Sequence, residues 1–562
     1  MPNIKSLQNF QKEIEDLKSE IKKLKNRKKY GLVWEEKPEE VVELCKEKLP
    51  VLTEDNKREI RTDKEKPVNI LIEGDNYHAL SVLNYTHQAK VDVIYIDPPY
   101  NTGAKDWKYN NDFIDSNDTY RHSKWISMMN SRIHLAKKLL KNTGVFICAI
   151  DHYELSNLGL LCDEIFGEEN RLGIVTVVHK PEGRQFANFF SPSNEFMLVY
   201  ARNKNLAKFQ KVVLSEEKGE EFDEEDEKGR FKLQNFIRLT DGKYSLRENK
   251  PTGFYPIYVS SDLTKFSLEK KPNYEIALPI TNKGVERVWK TLGDTFMEKV
   301  EDGAIVAKKE SGKIVLYEKF RLSQVLTTHW IDKKYHGYHY GTKLLEEILG
   351  EKIFDFPKSL YLLIDILKIT ANENATVLDF FAGSGTTGHA VLELNKADGG
   401  NRQVILCTNN ENYIAEKVCY PRIKKVIEGY RSNKGLGGNL KYFKADKAYF
   451  IEAKPTDINK KKLVDKSTEM LCLKENCFEV VKKGQNFKIF TNNKNKYLGI
   501  IYDDTGIELF KKEVKKLNEK IITYIFSLDD SAREEEFEDI EKLVELKPIP
   551  AVILNVYKKI FK

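Results

Sequence analysis

The stretch Val91-Asp92-Val93-Ile94-Tyr95-Ile96-Asp97-Pro98-Pro99-Tyr100 constrains this chain more than any other. Its β-branched apolar run fits a strand covered on both faces, as in the middle of a parallel sheet. The run then stops on a carboxylate, two prolines and a ring. Proline fixes φ and lacks an amide donor, so the turn is stiff and rich in acceptors. Open α/β sheets keep their ligands at the carboxyl edge of such strands. There the Asp97 carboxylate and the carbonyls of the turn accept from an NH2 group, while Tyr100 offers a face for stacking. That suits a planar base bearing an exocyclic amine; the plainer alternative is a tight strand-to-loop turn with a surface tyrosine.

A second constraint lies far downstream. Ala375-Thr-Val-Leu-Asp379 reads as a strand, and Phe380-Phe381-Ala382-Gly383-Ser384-Gly385-Thr386-Thr387-Gly388 as a small-residue turn opening a helix that runs to Leu394. Glycines let the backbone approach a ligand closely. The stretch is not G-x-G-x-x-G and lacks the Gly-Lys-Ser/Thr of a phosphate loop, which disfavours a triphosphate but serves a cofactor with a zwitterionic methionine end and a ribose. Val68 to Gly74 is a further strand, ending at Asp75, which either accepts from cofactor amino groups or caps the next helix. Gln403 to Cys407 is another, followed by Thr408-Asn409-Asn410-Glu411, where Asn409 and Glu411 are rival partners for ribose hydroxyls. Helices are expected over Tyr77–Leu83, Trp125–Leu140, Leu155–Phe166, Leu360–Ile369 and Tyr413–Gly429, and strands over Gly144–Ile150, Arg171–His179 and Glu195–Tyr200.

A chain of 562 residues divides into several domains. A net charge of +6 permits a polyanion partner without requiring one. The seven scattered cysteines read as reduced thiols of a cytoplasmic protein; Cys472 and Cys477 have no matching pair for zinc, and no metal site is expected. No run suits a membrane span or a signal peptide. Ile4, Leu7, Phe10, Ile14, Leu17, Ile21 and Leu24 form a heptad-like stripe that packs on the body or on a second copy, making a homodimer contact. The basic run Lys22 to Lys29 faces solvent.

The organisation expected is a helical arm and lead-in over 1–60, a first catalytic part over 61–171, a target-recognition region over 172–340, a second catalytic part over 341–440, and a C-terminal α/β domain over 441–562 for subunit, partner or DNA contact. The last carries strands at Phe487–Phe490 and Tyr497–Tyr502, helices at Ile507–Leu517 and Phe537–Leu546, and a final helix after Pro550. Candidate DNA contacts are Lys105 and Trp107 in the ring-studded loop after Tyr100, then Arg230, Arg238, Arg247, Lys250 and Arg287, where cations meet phosphates and arginines read base edges.

Asp97-Pro98-Pro99-Tyr100 resembles the catalytic motif of amino-methylating DNA methyltransferases, and Phe380-Phe381-Ala382-Gly383-Ser384-Gly385-Thr386-Thr387 their S-adenosylmethionine motif. In this order, with a recognition region between, the two resemble the beta class. Leu32-Val-Trp-Glu-Glu-Lys-Pro38, Thr342-Lys343, Phe354-Asp-Phe356-Pro357-Lys358 and Asn401-Arg402-Gln403 look like the modification subunit of type III restriction-modification systems. The resemblance implies a Rossmann-like, circularly permuted sheet with an inserted recognition region. It implies that Asp97 and the Pro98 carbonyl hold the target amine, within a catalytic motif that includes Pro99, and that Tyr100 stacks on a flipped base. It places Phe381, Ala382, Gly383, Ser384, Gly385 and Thr386 around the cofactor, with Asp379, Phe356, Pro357 and Lys358 beside it and Asp75 near its adenine. Relatives often hold the ribose with a glutamate directly at the strand end; here that place falls near Thr408, with Glu411 displaced. The implied activity is direct adenine-N6 methylation of double-stranded DNA, alongside a separate restriction (helicase and nuclease) subunit. Cytosine-N4 methylation and a silent specificity subunit are the alternatives. No cysteine follows the prolines, which disfavours the covalent route to carbon 5 of cytosine.

Overall fold

The computed structural model describes residues 18, 32–110, 112–183, 189–210, 222–240, 242–321, 326–445, 450–454, 456–529 and 531–560. The heptad-like stripe, the basic run Lys22 to Lys29 and residues 216–221 lie outside them, and Lys105 is described by its backbone alone. The chain divides into two compact units, Lys211–Leu326 and the remainder.

The larger unit is built on one sheet. Its main strands are β1 (Val68–Gly74), β2 (Val91–Ile96), β3 (Leu140–Ile150), β4 (Arg171–Val178), β5 (Asn194–Ala201), β6 (Thr376–Asp379), β7 (Gln403–Thr408) and β8 (Asn439–Ala445). Their spatial order is β4-β5-β3-β2-β6-β7-β1-β8, with short strands at both edges. From β3 to β8 all neighbours are parallel, whereas β5 runs antiparallel to both β3 and β4. Helices α1 (Asn76–Thr86), α2 (Arg121–Leu139) and α3 (Leu155–Phe166) cover one face; α4 (Leu360–Thr370), α5 (Thr386–Asp398) and α6 (Tyr420–Glu428) group on the other.

The β2 sequence reads as apolar on both sides because both sides are covered. Ile94 and Ile96 enter the core with α1–α3, and Val93 and Tyr95 are buried opposite them. Each such Val or Ile contributes roughly 1.5–3 kcal/mol. Asp92, the polar exception, accepts from Lys141 Nζ at 2.8 Å and from the Thr376 amide at 2.8 Å. That bond helps to fix β6 beside β2, with Val377 opposite Val93 and Leu378 opposite Ile94. The two motif-bearing strands are therefore neighbours, and Asp75, Asp97, Asp379 and Thr408 end their strands at one edge of the sheet. Because β5 runs the other way, its first residues, Asn194 and Glu195, arrive at that same edge.

The separately packed middle unit is shorter than the 172–340 span read from sequence. Residues 171–178, 194–201 and 329–330 pair into the main sheet, so the unit's limits draw in to Lys211 and Leu326. Described by itself, it holds a four-stranded antiparallel sheet, including the hairpin Ile305–Glu310 and Lys313–Arg321, and a three-stranded sheet around Ile257–Ser260. Phe236, Trp289 and Phe296 form its core.

Within the larger unit the C-terminal region has its own five-stranded mixed sheet, yet it shares a core with the main sheet: the helices Thr468–Glu475 and Ala551–Ile560 pack on α1. Helix Ile507–Leu517 lies where the periodicity places it. Phe537–Leu546 is not one helix. A 3-10 segment covers Glu534–Leu543, and Val544–Ile549 becomes an edge strand parallel to Ile521–Phe526. Likewise α6 begins only at Tyr420, after a wider turn over Ile414–Cys419. No described helix is long and apolar enough to cross a membrane, and all seven cysteines are buried free thiols.

Candidate active site

The turn after β2 is clamped from the α2 side. Trp125 Nε1 donates to the Pro99 carbonyl at 2.7 Å. Asn101 sits in left-handed backbone at φ 57°, a conformation Asn tolerates better than most residues. It is fully buried: its amide donates to Glu154 Oε1 at 2.5 Å and its oxygen accepts from Trp107 Nε1 at 3.0 Å. Trp107, expected to touch DNA, is instead a buried wall of this turn.

Behind Asp97 lies an ion cluster that sequence reading missed. Lys358 Nζ is 3.2 Å from Asp97 Oδ1 and 2.5 Å from Glu195 Oε2, and it also donates to the Tyr100 hydroxyl. That hydroxyl donates in turn to Glu195 Oε2 at 2.9 Å, and Lys358 Nζ stands 4.7 Å from the ring centroid. Burial opposes the lysine charge, but Asp97 and Glu195 outweigh it and hold its pKa above the ordinary value. Burial pushes Asp97 up, with Lys358 opposing. Glu195 is held below the ordinary carboxylate range because Lys358 overcomes its burial. The available signal was an acid opening the apolar run Glu195-Phe-Met-Leu-Val-Tyr200.

A cavity of about 440 Å3 opens on the same edge. Of the residues expected there, Asp75, Asp97, Phe381, Gly383, Asn409 and Glu411 line it, together with Thr408. Asp75 also caps α1, accepting from the Tyr77 amide at 2.8 Å, as the second of its two readings expects. Asp379 does not line the cavity. It is buried beneath the turn, accepting from the Phe381 amide at 3.0 Å and the Thr387 hydroxyl at 2.5 Å, and burial raises its pKa to about 7. Ala382, Ser384, Gly385 and Thr386 also lie off the cavity wall. Ser384 and Thr386 are buried on Arg422, which donates to their hydroxyls at 3.1 and 2.8 Å. Ser384 and Thr386 thus shape the turn from behind. Phe356 is 90% exposed, and neither Pro357 nor Lys358 reaches the cavity; Phe354 lines it instead.

Two further walls were not read from the sequence: Glu39, Glu40 and Val41 of the lead-in, and Arg132 of α2. Gly383 has φ 48°, and a Cβ there would lie 3.4 Å from Phe354 Cζ. Gly383→Val combines a β-branched side chain with left-handed backbone, which costs about 1–2 kcal/mol. Titration calorimetry on this variant should show cofactor binding weakened ~10-fold, with the melting midpoint lowered by no more than the few degrees that this strain costs.

In the middle unit, Arg230 and Arg238 are exposed. Arg247 pairs with Glu286 at 2.8 Å and lies 4.1 Å over the Phe254 ring. Lys250 is half-buried. Arg287 Nη1 donates to the carbonyls of Arg238 and Thr240 at 3.4 and 3.2 Å, which makes it a pin for that loop.

A largely parallel sheet thus carries an acceptor-rich turn and a glycine-turn cavity at one edge. The DNA methylase family model matches residues 91–418, and the chain belongs to that family. It is 32% identical over 356 residues to the type II methyltransferase M.KpnI of Klebsiella pneumoniae, covering 62% of this chain and 82% of that protein. It is 31% identical over 417 residues to the EcoPI Mod subunit of Escherichia phage P1, a type III restriction-modification enzyme, covering 68% and 63%. The StyLTI Mod subunit of Salmonella typhimurium is 32% identical over 407 residues, covering 67% and 58%. The chain thus spans less than two thirds of these two Mod subunits. Among solved structures, the M1.HpyAVI–SAM complex matches 63% of this chain and 98% of its own at 15% identity, with a TM-score of 0.29.

The cofactor of this family is S-adenosylmethionine, and the cavity fits it. Gly383 removes a side chain where a ligand must come close. Asp75 and Glu411 offer carboxylates, Asn409 an amide, and Phe381 an aromatic wall.

Proposed function

We propose that this chain is a site-specific DNA adenine-N6 methyltransferase, the modification subunit of a type III restriction-modification system. Asp97, Pro98, Pro99 and Tyr100 form its target-base site, and Asp75, Phe381, Gly383, Asn409 and Glu411 hold the cofactor. The observation that carries this reading is the meeting of Asp97, at the end of β2, with the cavity under Gly383. S-adenosylmethionine, when bound, supplies an electrophilic methyl group. The chain's own residues do the rest by position and charge. The Asp97 carboxylate and the Pro98 carbonyl accept from the two N–H bonds of the target amine, which aims its lone pair and raises electron density on nitrogen. Tyr100, fixed through its hydroxyl on Glu195, presents its ring to the base. The adenine has to leave the duplex to reach this edge, at a cost of a few kcal/mol of unstacking.

Duplex DNA, a separate restriction chain and a second copy of this chain are the proposed partners, with cationic residues of the middle unit, among them Arg230, Arg238 and Lys250, contacting the DNA. The test is to incubate duplex DNA with the protein and labelled cofactor, then digest to nucleosides. Label is expected in N6-methyladenine. Label in N4-methylcytosine would transfer the assignment to cytosine, and unlabelled DNA would sink the enzymatic reading.

A further inference from the structure

We propose that Lys358 and Glu195 are positioning residues that set the charge and aim of Asp97: the ammonium holds the catalytic carboxylate ionised from behind, and the buried glutamate holds the ammonium. The inference rests on the role given to Asp97 above and deepens it. An ammonium has three donors, and here each has its acceptor: Asp97 Oδ1, Glu195 Oε2 and the Tyr100 hydroxyl. Neither Lys358 nor Glu195 lines the cofactor cavity, so any influence on the reaction passes through Asp97 or Tyr100.

The pair answers a specific difficulty. Asp97 must accept hydrogen bonds from the amine, and a protonated carboxyl would present a donor in that place. Its surroundings favour the proton, since burial pushes Asp97 up and Glu195 adds a like charge; Lys358 is the cation that opposes both. The other titratable groups nearby supply no second cation. Tyr95 on β2 and Cys148 on β3 are buried with pKa values far above their ordinary ones, which keeps them neutral. Asp379, at the end of the adjacent β6, adds acid. His179, following β4 near Glu195 and Lys358, is pushed down by burial. Glu195 reaches this position only because β5 is antiparallel to β3, so that its first turn faces the edge where Asp97 ends β2.

The sign follows from these charges. Ionisation of Asp97 forms the acid limb of the rate-against-pH profile. Removing the cation raises the pKa of the carboxylate, and removing the like charge lowers it. The experiment is single-turnover methylation of duplex DNA against pH, with cofactor affinity measured separately. Lys358→Met should move the acid limb up by ~1–3 pH units, Glu195→Gln should move it down, and Lys358→Arg should return it close to the parent. Cofactor dissociation constants should change less than about threefold. Should Lys358→Met fail to fold with two unpaired acids, Lys358→Met/Glu195→Gln removes both charges, and its limb should still lie above the parent's. An unmoved limb in whichever of these folds overturns the inference. So does a loss of cofactor affinity as large as the loss of rate, which would make Lys358 a cofactor ligand. Full activity in Asp97→Ala would instead remove the reading beneath it, so the two failures are distinguishable.

Discussion

Asp97→Ala is expected to lower the single-turnover methylation rate by ~10^3-fold or more while the protein stays folded. The magnitude is that of deleting one preorganised electrostatic contact to the reacting group, roughly 10^2–10^3, together with the loss of aim that lets the amine nitrogen meet the methyl. The fold should tolerate the change because the buried ammonium keeps a counterion: Lys358 still pairs with Glu195 at 2.5 Å. The removed carboxylate is itself a desolvated group that burial disfavours. Asp97→Asn is the more discriminating variant. It preserves shape but places an NH2 where the target amine also presents N–H, so it should be almost as inactive as alanine. A uniform fall in cofactor affinity would not account for that result, since Asp97 is one wall among many of the cavity. A rate within ~10-fold of the parent in either variant would sink the catalytic role.

The sheet was legible because its strands are unusually pure. Val91–Ile96, Gly144–Ile150 and Gln403–Cys407 are buried on both faces, and an apolar run bounded by turn residues carries that information locally. The motif ends were legible for the same reason, since a carboxylate or glycine that interrupts such a run stands out. What was illegible depends on which strand lies beside which. Glu195 gains its role from the reversal of β5, Glu39 from a lead-in folding back onto α2, and Asp92 from the Thr376 amide it accepts. Spacing within one element holds none of this. Of the glycine turn, only Phe381 and Gly383 border the cavity. Asp379, Ser384 and Thr386 resemble ligand groups by type, yet their hydrogen bonds to Phe381, Thr387 and Arg422 hold up the turn from its buried side. In the middle unit Arg287 illustrates a general ambiguity: a guanidinium that satisfies loop carbonyls reads in sequence like one that satisfies phosphates.

Arg132→Met should be the most destabilising substitution around the cofactor cavity. Arg132 is only 4% exposed and makes a two-pronged pair with Glu39, itself 11% exposed, at 2.8 and 2.7 Å. Its Nε donates to Asn76 Oδ1 at 2.5 Å, and Nη2 lies 3.4 Å from Asp75 Oδ1. Asn76 passes the contact on, donating to the Phe380 carbonyl at 3.0 Å at the start of the glycine turn. One guanidinium therefore ties the lead-in, the N-terminus of α1 and the end of β6 into one wall. The acids hold the guanidinium above its ordinary pKa despite burial, so it is charged at any working pH. Methionine fills much of the volume but leaves Glu39 and Asp75 without their cation, a loss of about 3–5 kcal/mol when one partner of a buried pair is removed. With Asn76 released as well, cofactor affinity should fall by ~10-fold or more even at temperatures where the variant is folded. Denaturant unfolding checks the first effect and calorimetry the second. The double variant Glu39→Gln/Arg132→Met distinguishes lost charge pairing from lost packing. If pairing dominates, neutralising Glu39 should recover ~1 kcal/mol or more of the stability lost in Arg132→Met, well outside the ~0.3–0.5 kcal/mol within which independent sites add. Simple additivity in that cycle would show that Arg132 acts there as a filler of space.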